Sequence, residues 1–109
     1  MCNALVRIGD KWSVLVIARL GERGRRFTEL LRDIDGISQR MLTVTLRRLE
    51  RDGLLSRTVH AVVPPRVDYA LTPMGRTLLA TVTDLARWAE RHTEDIENSR
   101  IAYDKRQGG

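Results

Sequence analysis

The sequence has 109 residues, of which 42% are hydrophobic, with 19 basic residues, 14 acidic residues and one cysteine. These figures exclude a chain that is disordered by composition and indicate one domain with one modest core. The single cysteine, Cys2, excludes an intramolecular disulfide and a metal cluster held by thiolates within one chain. The longest purely apolar run, from Val14 to Ala18, is far too short to span a bilayer, so we expect a cytoplasmic protein without membrane contact.

The net charge of +5 is unevenly distributed along the chain. Positions 36 to 66 hold six arginines and two acidic residues, whereas positions 84 to 97 hold five acidic residues and two arginines. A basic balance indicates an anionic partner such as nucleic acid or a membrane surface, although a generic soluble surface explains the total charge equally well. The concentration of positive charge in the middle of the chain favours the anionic partner.

The first predicted element is a helix from Leu5 to Leu20, with a break at Gly9-Asp10. Its apolar residues cover nearly the whole circumference, which is typical of a helix buried on both sides or between a core and a partner. A turn is expected from Gly21 to Gly24. A short second helix follows from Phe27 to Ile34, with Thr28 as its predicted N-cap.

A longer helix is predicted from Ser38 to Asp52, with Ser38 as its N-cap and Gly53 as its C-terminal stop. Apolar residues at helical spacing form one face, which consists of Leu42, Leu46 and Leu49. The opposite face carries Gln39, Arg40, Thr43, Val44, Arg47 and Arg51. Two short helices joined by a turn that contains a glycine, here Gly36, are typical of a helix-turn-helix.

Two strands are predicted next, from Leu54 to Val62 and from Val67 to Leu71. Polar and apolar residues alternate loosely in both, and β-branched residues are frequent. Pro64-Pro65 cannot donate hydrogen bonds within a sheet and therefore marks the tip of the loop between the strands. The pattern indicates a β-hairpin that flanks the helix-turn-helix as a wing.

The last predicted element is a long helix that starts at Thr72-Pro73 and runs from Met74 to about Tyr103. Its apolar positions alternate at spacings of four and three, which is typical of a coiled-coil seam. The seam consists of Leu78, Val82, Leu85, Ala89, His92 and Ile96. We therefore predict that this helix packs against a second copy of the chain, together with Trp12 of the first helix. The polar tail from Asp104 to Gly109 is expected to fray.

The sequence offers little support for a catalytic or a metal-binding site. The two histidines, His60 and His92, lie in different elements, and the sequence has no glycine-rich phosphate loop, His-Glu-x-x-His run or serine nucleophile motif. Acidic pairs such as Glu94-Asp95 are typical of a solvated helix surface. We predict a protein that is not an enzyme and that needs no cofactor or metal.

The second helix of the predicted helix-turn-helix has the composition of a DNA-reading element. Its first turn, the part that normally enters a major groove, carries Gln39, which can pair with adenine, and Arg40, which can pair with guanine. Arg47 can also pair with guanine, and Thr43 or Val44 can contact a thymine methyl group. An ordinary amphipathic surface helix is the alternative for this segment taken alone.

The predicted wing favours DNA over that alternative. Arg66 lies at its proline-stiffened tip and Arg57 lies nearby, where both suit contact with the DNA backbone or the minor groove. The predicted DNA-contacting residues are Ser38, Gln39, Arg40, Thr43, Val44, Arg47, Arg48, Arg57 and Arg66.

Six blocks of the sequence carry a resemblance to a known family, and they are Ile8–Trp12, Arg26–Leu30, Gly36–Leu42, Leu46–Leu54, Val63–Tyr69 and Leu71–Gly75. In this order they resemble the signature blocks of HxlR-type winged helix-turn-helix regulators, which are relatives of the MarR group. The match covers about Leu5 to His92. The resemblance implies a homodimer joined by its N- and C-terminal helices, with the helix from Ser38 in the major groove and the hairpin at Pro64-Pro65-Arg66 as the wing. It also implies regulation of transcription, by repression or activation, often in response to redox or electrophile stress.

Two positions depart from the pattern of that family. Its members commonly carry Cys-Pro near the start, whereas Cys2 is followed by Asn3 and lies about one helical turn closer to Leu5. A redox-sensing role for Cys2 and a free thiol without a role therefore both stay open. Val44 stands where the family pattern has a longer polar residue, so an apolar contact with a base is expected to replace a hydrogen bond there.

We predict a single winged helix-turn-helix domain over residues 1–109, mainly α with a small β-hairpin. Its parts are dimerisation helices at about 5–20 and 74–103, the helix-turn-helix at 27–52 and the wing at 54–71. The predicted function is a transcription regulator that binds specific double-stranded DNA as a homodimer. Two alternatives stay open: a redox or small-molecule sensor of unknown effector whose DNA contact is secondary, and a dimeric protein-interaction module.

Overall fold

The structure, a computed structural model, describes residues 10–108 of the chain. Over this range the elements in chain order are α1 (Lys11–Glu22), β1 (Arg25–Arg26), α2 (Phe27–Asp33), α3 (Gln39–Arg51), β2 (Leu55–His60), β3 (Arg66–Leu71) and α4 (Pro73–Gly108). The predicted fold class, mainly α with a small β-hairpin and a long C-terminal helix, is confirmed. None of the helices in this range is long and apolar enough to cross a membrane.

The core lies between α1, α2, α3 and the sheet, and aliphatic side chains make up most of it. Helix α3 contributes Leu42, Leu46 and Leu49, each at most 2% exposed, as the spacing of its apolar residues predicts. From α1, Val16 and Ile17 are fully buried against them. Burial of this single face of α3 leaves its opposite face to solvent.

The sheet has three antiparallel strands in the order β1-β3-β2. Strands β2 and β3 form the predicted hairpin, paired from Leu55 and Leu71 at its base to His60 and Arg66 beside the loop. Strand β1 was not predicted from the sequence, because two consecutive arginines show no alternation of apolar and polar residues. It joins the edge of the hairpin through Arg25, which lies opposite Tyr69.

Helix α2 begins one residue earlier than its predicted cap, so the assignment of Thr28 as N-cap is wrong. Phe27 is the first helical residue and Arg26 occupies the N-cap position without a side-chain cap. Instead, the carboxylate of Glu29 turns back and accepts a hydrogen bond from the backbone N–H of Arg26 at 3.0 Å. A carboxylate in the first helical turn is favourable because it satisfies a free N–H and faces the positive end of the helix dipole.

The bounds of α1 also differ from the prediction. The carboxylate of Asp10 caps this helix by accepting from Trp12 N–H at 2.7 Å, and the helix continues through Gly21 to Glu22 rather than ending at Leu20. Positions 5–9 of the predicted helix lie outside the described residues.

The tail predicted to fray is helical instead, since α4 continues through Asp104 as far as Gly108. Lys105 and Arg106 in its last turn complement the negative end of the helix dipole. The guanidinium of Arg106 also lies over the ring of Tyr103, at 5.9 Å from its centroid. These contacts stabilise a helix end that polarity alone predicts to be loose.

Two glycines allow the first turns of α4 to pack closely on the rest of the fold. A β-carbon at Gly75 would overlap the backbone carbonyl of Leu54. One at Gly21 of α1 would lie 2.6 Å from Leu79 of α4. The start of α4 is further anchored by Thr72, whose hydroxyl accepts from the N–H of Gly75 at 3.0 Å and so confirms the predicted cap.

Most of α4 extends away from this packed region. Its 36 residues correspond to about 54 Å at the usual rise of about 1.5 Å per residue, and the molecule measures 65 by 25 by 25 Å. Leu78 and Leu79 pack against the core. From Asp84 to Gly108, every side chain except the half-buried His92 is exposed.

Candidate nucleic-acid interface

The candidate reading element is α3, and its ends are defined by local interactions. The hydroxyl of Ser38 accepts from the backbone N–H of Met41 at 3.0 Å, which confirms the predicted N-cap. At the other end, Gly53 has a φ of +79°, a conformation that favours glycine and stops the helix, as predicted. These signals, together with the buried leucines, set which residues of α3 face outward.

The outward face of α3 is polar and basic. Ser38, Gln39, Arg40 and Arg47 are exposed, and Val44 is 43% exposed among them. Such a face offers amide, guanidinium and methyl groups, which are the groups that read base edges in a major groove.

Two further side chains on α3 modify this face. The hydroxyl of the half-buried Thr43 donates to the carbonyl of Gln39 at 2.9 Å, so its methyl group is the part left for an apolar contact. Met41, which was not among the predicted contacts, is 37% exposed in the first turn. Its place directly after Arg40, in the first turn of the predicted helix, was the sequence signal that it lies near this face.

A cleft separates α3 from the wing and brings two predicted residues together. Arg47 of α3 and Arg57 of β2 both line it, together with Glu50 of α3 and Phe27 of α2. One arginine from α3 and one from the hairpin thus share a cleft. This juxtaposition joins residues that lie ten positions apart in the sequence and belong to different elements.

The structure does not place Arg48 with this group. Its Nη2 lies 3.4 Å from the carboxylate of Asp10, which caps α1, and its side chain is 37% exposed. The contact links α3 to the start of α1. Arg48 therefore has a structural role that sequence spacing did not indicate.

At the base of the wing loop, Arg66 is also engaged within the chain. Its Nη2 lies 3.2 Å from the carboxylate of Asp68, and Nε2 of His60 lies 2.9 Å from the same carboxylate oxygen. His60 and Arg66 are directly opposite each other in the hairpin. The acidic side chain thus holds both basic groups on one face of the sheet.

The tip of the wing is more apolar than the sequence prediction assumed. Val62 is 53% exposed and Val63 is fully exposed, directly before Pro64-Pro65. The run of apolar residues before the prolines, which interrupts the alternation of the strand, was the signal for this feature. Apolar side chains at such a tip are suited to contact a groove floor or sugar edge.

A buried arginine, Arg25, fixes the helix-turn-helix to the sheet. It is 8% exposed, and its guanidinium lies 2.6 Å from the carboxylates of both Glu22 in α1 and Asp33 in α2. Its Nε also donates to the carbonyl of Arg19 at 3.2 Å. Because its sequence neighbours Arg23 and Arg26 are exposed, no local pattern could have identified it.

The start of α2 carries a carboxyl group with a lowered pKa, that of Glu29. The backbone N–H of Arg26 and the guanidinium of Arg23, at 2.9 Å, both donate to Glu29 and lower the pKa of that carboxyl to about 2. The same hydrogen bond and charge raise the pKa of Arg23. The Arg23–Glu29 pair stabilises α2, the helix that precedes α3.

The predicted dimer residues divide into two groups. Trp12 and Leu78 pack against the chain's own core. Beyond them, Val82 and His92 are half-buried, whereas Leu85, Ala89 and Ile96 are exposed. Trp88, which the seam prediction omitted, is 48% exposed, and its ring stacks on His92 with centroids 4.4 Å apart. Its spacing of three from Leu85 and four from His92 was the signal for it.

Three similarities to known proteins match this architecture. The chain is 40% identical over 94 residues to the HTH-type transcriptional regulator YtfH of Escherichia coli K12, covering 86% of this chain and 75% of that protein. The structure superposes with a TM-score of 0.77 on a MarR-family transcriptional regulator from Enterococcus faecalis V583, at 39% identity over 87% of this chain and 86% of the other. It superposes with a TM-score of 0.81 on the redox regulator HypR in its reduced form, at 40% identity over 87% of this chain and 94% of the other.

The family model described as HxlR-like helix-turn-helix matches residues 7–97, which is most of the chain. The resemblance inferred from the six sequence blocks is thereby confirmed. The chain belongs to the HxlR-like helix-turn-helix family and is a transcriptional regulator with a helix-turn-helix DNA-binding domain.

Proposed function

We propose that this regulator binds specific double-stranded DNA as a homodimer, with α3 in the major groove and the wing on the flanking backbone or minor groove. The observation that carries this proposal is the outward face of α3. Exposed Gln39, Arg40, Val44 and Arg47 stand on a helix that is held rigidly by its buried leucines. Rigid presentation matters because base-edge hydrogen bonds discriminate only when their donors are held in place. A cytoplasmic location accords with this proposed role.

The wing supports the same mode of binding. Arg57 shares a cleft with Arg47, and Arg66 stands at the base of the exposed loop. Guanidinium groups beside a recognition helix suit contacts to phosphates, which position the protein on the duplex. We propose that Arg48, paired with Asp10, acts mainly by positioning α3.

The homodimer is proposed from the distal part of α4. Leu85, Trp88 and Ile96 lie along one side of this helix and are 63%, 48% and 37% exposed. A second copy of the same seam would remove these side chains from water and place two recognition helices on one duplex. The expected operator is a pseudo-palindrome with half-sites about 34–36 Å apart, or a multiple of that distance.

The test is selection of bound sequences from a random pool of duplexes, followed by binding measurements on the selected site. Arg40→Ala and Arg47→Ala should each weaken binding to that site by about 1–3 kcal/mol if each contacts a guanine in bidentate fashion. Arg87→Ala is the matched control, because Arg87 is exposed on α4 and lies about 200° around the helix from Leu85. No enrichment of any sequence, or normal binding by both α3 variants, would contradict the proposal.

A redox response is a second candidate, favoured by the similarity to HypR, a redox regulator. The chain has one cysteine, Cys2, which lies outside the described residues. A disulfide response would therefore have to join two chains or use an added thiol compound. If Cys2→Ser keeps the full effect of oxidant on DNA binding, this candidate is eliminated.

A further inference from the structure

A second basic groove lies on the opposite side of the sheet from the core. We call it the outer groove, and its charged lining consists of Arg23, Arg26, Glu29, Arg32, Arg66 and Asp68. It is formed where the start of α2 meets strands β1 and β3. Apart from Arg66, none of these side chains was among the residues predicted to contact DNA.

The strand register explains why these side chains converge. Arg26 of β1 and Thr58 of β2 both lie directly opposite Asp68 of β3, so the three residues form one row across the sheet. Directly opposite residues on neighbouring strands share a face, and Arg66 lies two positions from Asp68 on that same face. The neighbouring Tyr69 is buried and faces the core.

The two acidic groups in the groove already have partners. Glu29 is held by Arg23 at 2.9 Å, and Asp68 is shared between His60 at 2.9 Å and Arg66 at 3.2 Å. Among residues 10–108, the structure gives the guanidinium of Arg26 no carboxylate partner. The groove therefore keeps an excess of positive charge after its internal pairs are formed.

Two further features show that hydrogen-bond donors in this groove are available. Arg32 is 74% exposed and lies 3.7 Å from Asp33, a carboxylate that already binds Arg25 at 2.6 Å. The side chain of Arg66 is 42% exposed, so its guanidinium can meet a ligand in the groove although Nη2 lies 3.2 Å from Asp68. Its Nε, which has no partner within the described part of the chain, is buried and is not one of these available donors. Guanidinium groups with free donors are the preferred partners of phosphate oxygens, which they bind in a planar, bidentate fashion.

The groove also continues toward the tip of the wing. Arg26, Thr28 and Arg66 line both the outer groove and an adjoining depression beneath Val63 and Pro64. A continuous basic path thus runs from the start of α2 to the wing loop. A path of this kind suits a run of phosphates or one compact phosphate compound.

We propose that the outer groove is a phosphate-binding site in which Arg26 and Arg66 are the principal ligands. The phosphate belongs either to the DNA backbone that flanks the site read by α3 or to a free phosphate compound. The first case rests on the proposed DNA-binding function, whereas the second does not.

The DNA case is tested by the salt dependence of binding. Each phosphate contact contributes a fixed amount to the slope of log affinity against log salt concentration. Arg26→Gln should reduce that slope by about 1 and weaken binding by the same factor on the selected site and on an unrelated duplex. Arg26→Lys, which keeps the charge, should retain most of the slope. Arg87→Gln is the control of equal charge change and should leave the slope unaltered.

The free-phosphate case is tested without DNA. Pyrophosphate should raise the Tm of the unmodified chain and of Arg87→Gln, but not of Arg26→Gln, when chloride is used to match the ionic strength. Binding to the folded state alone raises the apparent stability with ligand concentration. If Arg26→Gln folds poorly, both measurements are made with Arg32→Gln instead, because Arg32 is a highly exposed arginine of the same groove.

The outcomes separate the two sources and the two proposals. A reduced salt slope without a pyrophosphate effect assigns the groove to the DNA backbone, and the reverse result assigns it to a free phosphate compound. If the chain binds no duplex, the proposed function fails while the pyrophosphate measurement still decides this inference. If Arg26→Gln and Arg32→Gln behave like Arg87→Gln in both measurements, the inference is overturned.

Discussion

Helix α3 and the distal part of α4 carry the same kind of apolar spacing but meet opposite environments. In α3, Leu42, Leu46 and Leu49 are at most 2% exposed, because α1 and the sheet cover them. In α4, Leu85 and Ile96 lie in solvent at 63% and 37% exposure. A helical stripe of apolar residues thus predicts that a face will be covered, but it does not predict whether the cover comes from the same chain.

Because only one of the two apolar faces is covered within the chain, the two helices offer different surfaces to a partner. Burial of its apolar face within the chain holds α3 rigidly and leaves its polar face exposed to solvent. The apolar stripe on α4 is uncovered, and packing against a second copy of the chain would remove its side chains from water, which is favourable.

Removing a covered leucine should have the largest effect. Leu46→Ala should lower the free energy of unfolding by about 2–5 kcal/mol, since Leu46 is only 2% exposed and its removal leaves a cavity among buried side chains. Chemical denaturation at several protein concentrations measures this loss, which should persist on dilution. Leu85→Ala is the matched control, and any loss that it causes should disappear on dilution. Equal, concentration-independent losses for both variants would show that the two stripes do not differ.

Placing a charge in the uncovered stripe should dissociate the proposed dimer. Leu85→Glu buries a carboxylate in the seam, which is unfavourable without a partner, so the chain should sediment as a monomer. Its helix content should be unchanged, because Leu85 is 63% exposed within one chain. Arg87→Glu, about 200° around the helix, should leave the assembly intact. If the Leu85→Glu variant is still a dimer, the interface lies elsewhere on the chain.

A smaller effect is expected inside the covered stripe of α3. Thr45 is fully buried, and its hydroxyl has no hydrogen-bond partner among the described residues. Thr45→Val removes this unsatisfied group and should raise the free energy of unfolding by about 1 kcal/mol. Thr43→Val is the control and should give no gain, because the hydroxyl of Thr43 donates to the carbonyl of Gln39. A loss of stability in Thr45→Val would mean that its hydroxyl is satisfied by water.

The smallest effect concerns acid stability at the start of α2. Because the folded chain lowers the pKa of Glu29 from its ordinary 4.5 to about 2, the carboxylate stabilises the fold above pH 4.5 and loses this effect as the pH falls toward 2. The Tm difference between the unmodified chain and Glu29→Gln should therefore shrink over that interval. Arg23→Gln should reproduce part of the change, since it removes one of the two donors. A Tm difference that stays constant over this pH interval would show that the hydrogen bonds to Glu29 do not stabilise its charged form.

Prediction from sequence succeeded where the signals were local. The bounds of α3 follow from Ser38, which caps it, from Gly53, which ends it, and from three leucines at helical spacing. The hairpin follows from the prolines between two alternating segments. In each case the residues that decide the structure lie within about one element of one another, so their pattern is readable in the chain.

Prediction failed where partners are distant in the sequence. The two residues of β1 become a strand only because β3 lies beside them, and Arg25 is buried only because Glu22 and Asp33 surround it. The pairing of Arg48, a predicted DNA contact, with Asp10 was also missed, because the two residues lie 38 positions apart. The end of α4 was missed for a different reason, because its polar composition was interpreted as a frayed tail although the contacts that stabilise it are local.

The sequence is sufficient to identify the family, helix α3 with its covered and exposed faces, and the wing. It could do so because helical and strand periods, caps and turn residues act over a few positions. Which arginines are free to meet a ligand depends on the tertiary structure. Arg25 and Arg48 are held by carboxylates, whereas the guanidinium of Arg26 has no such partner among residues 10–108. The side chains are chemically identical, and their roles differ because folding brings charges from remote segments to some of them.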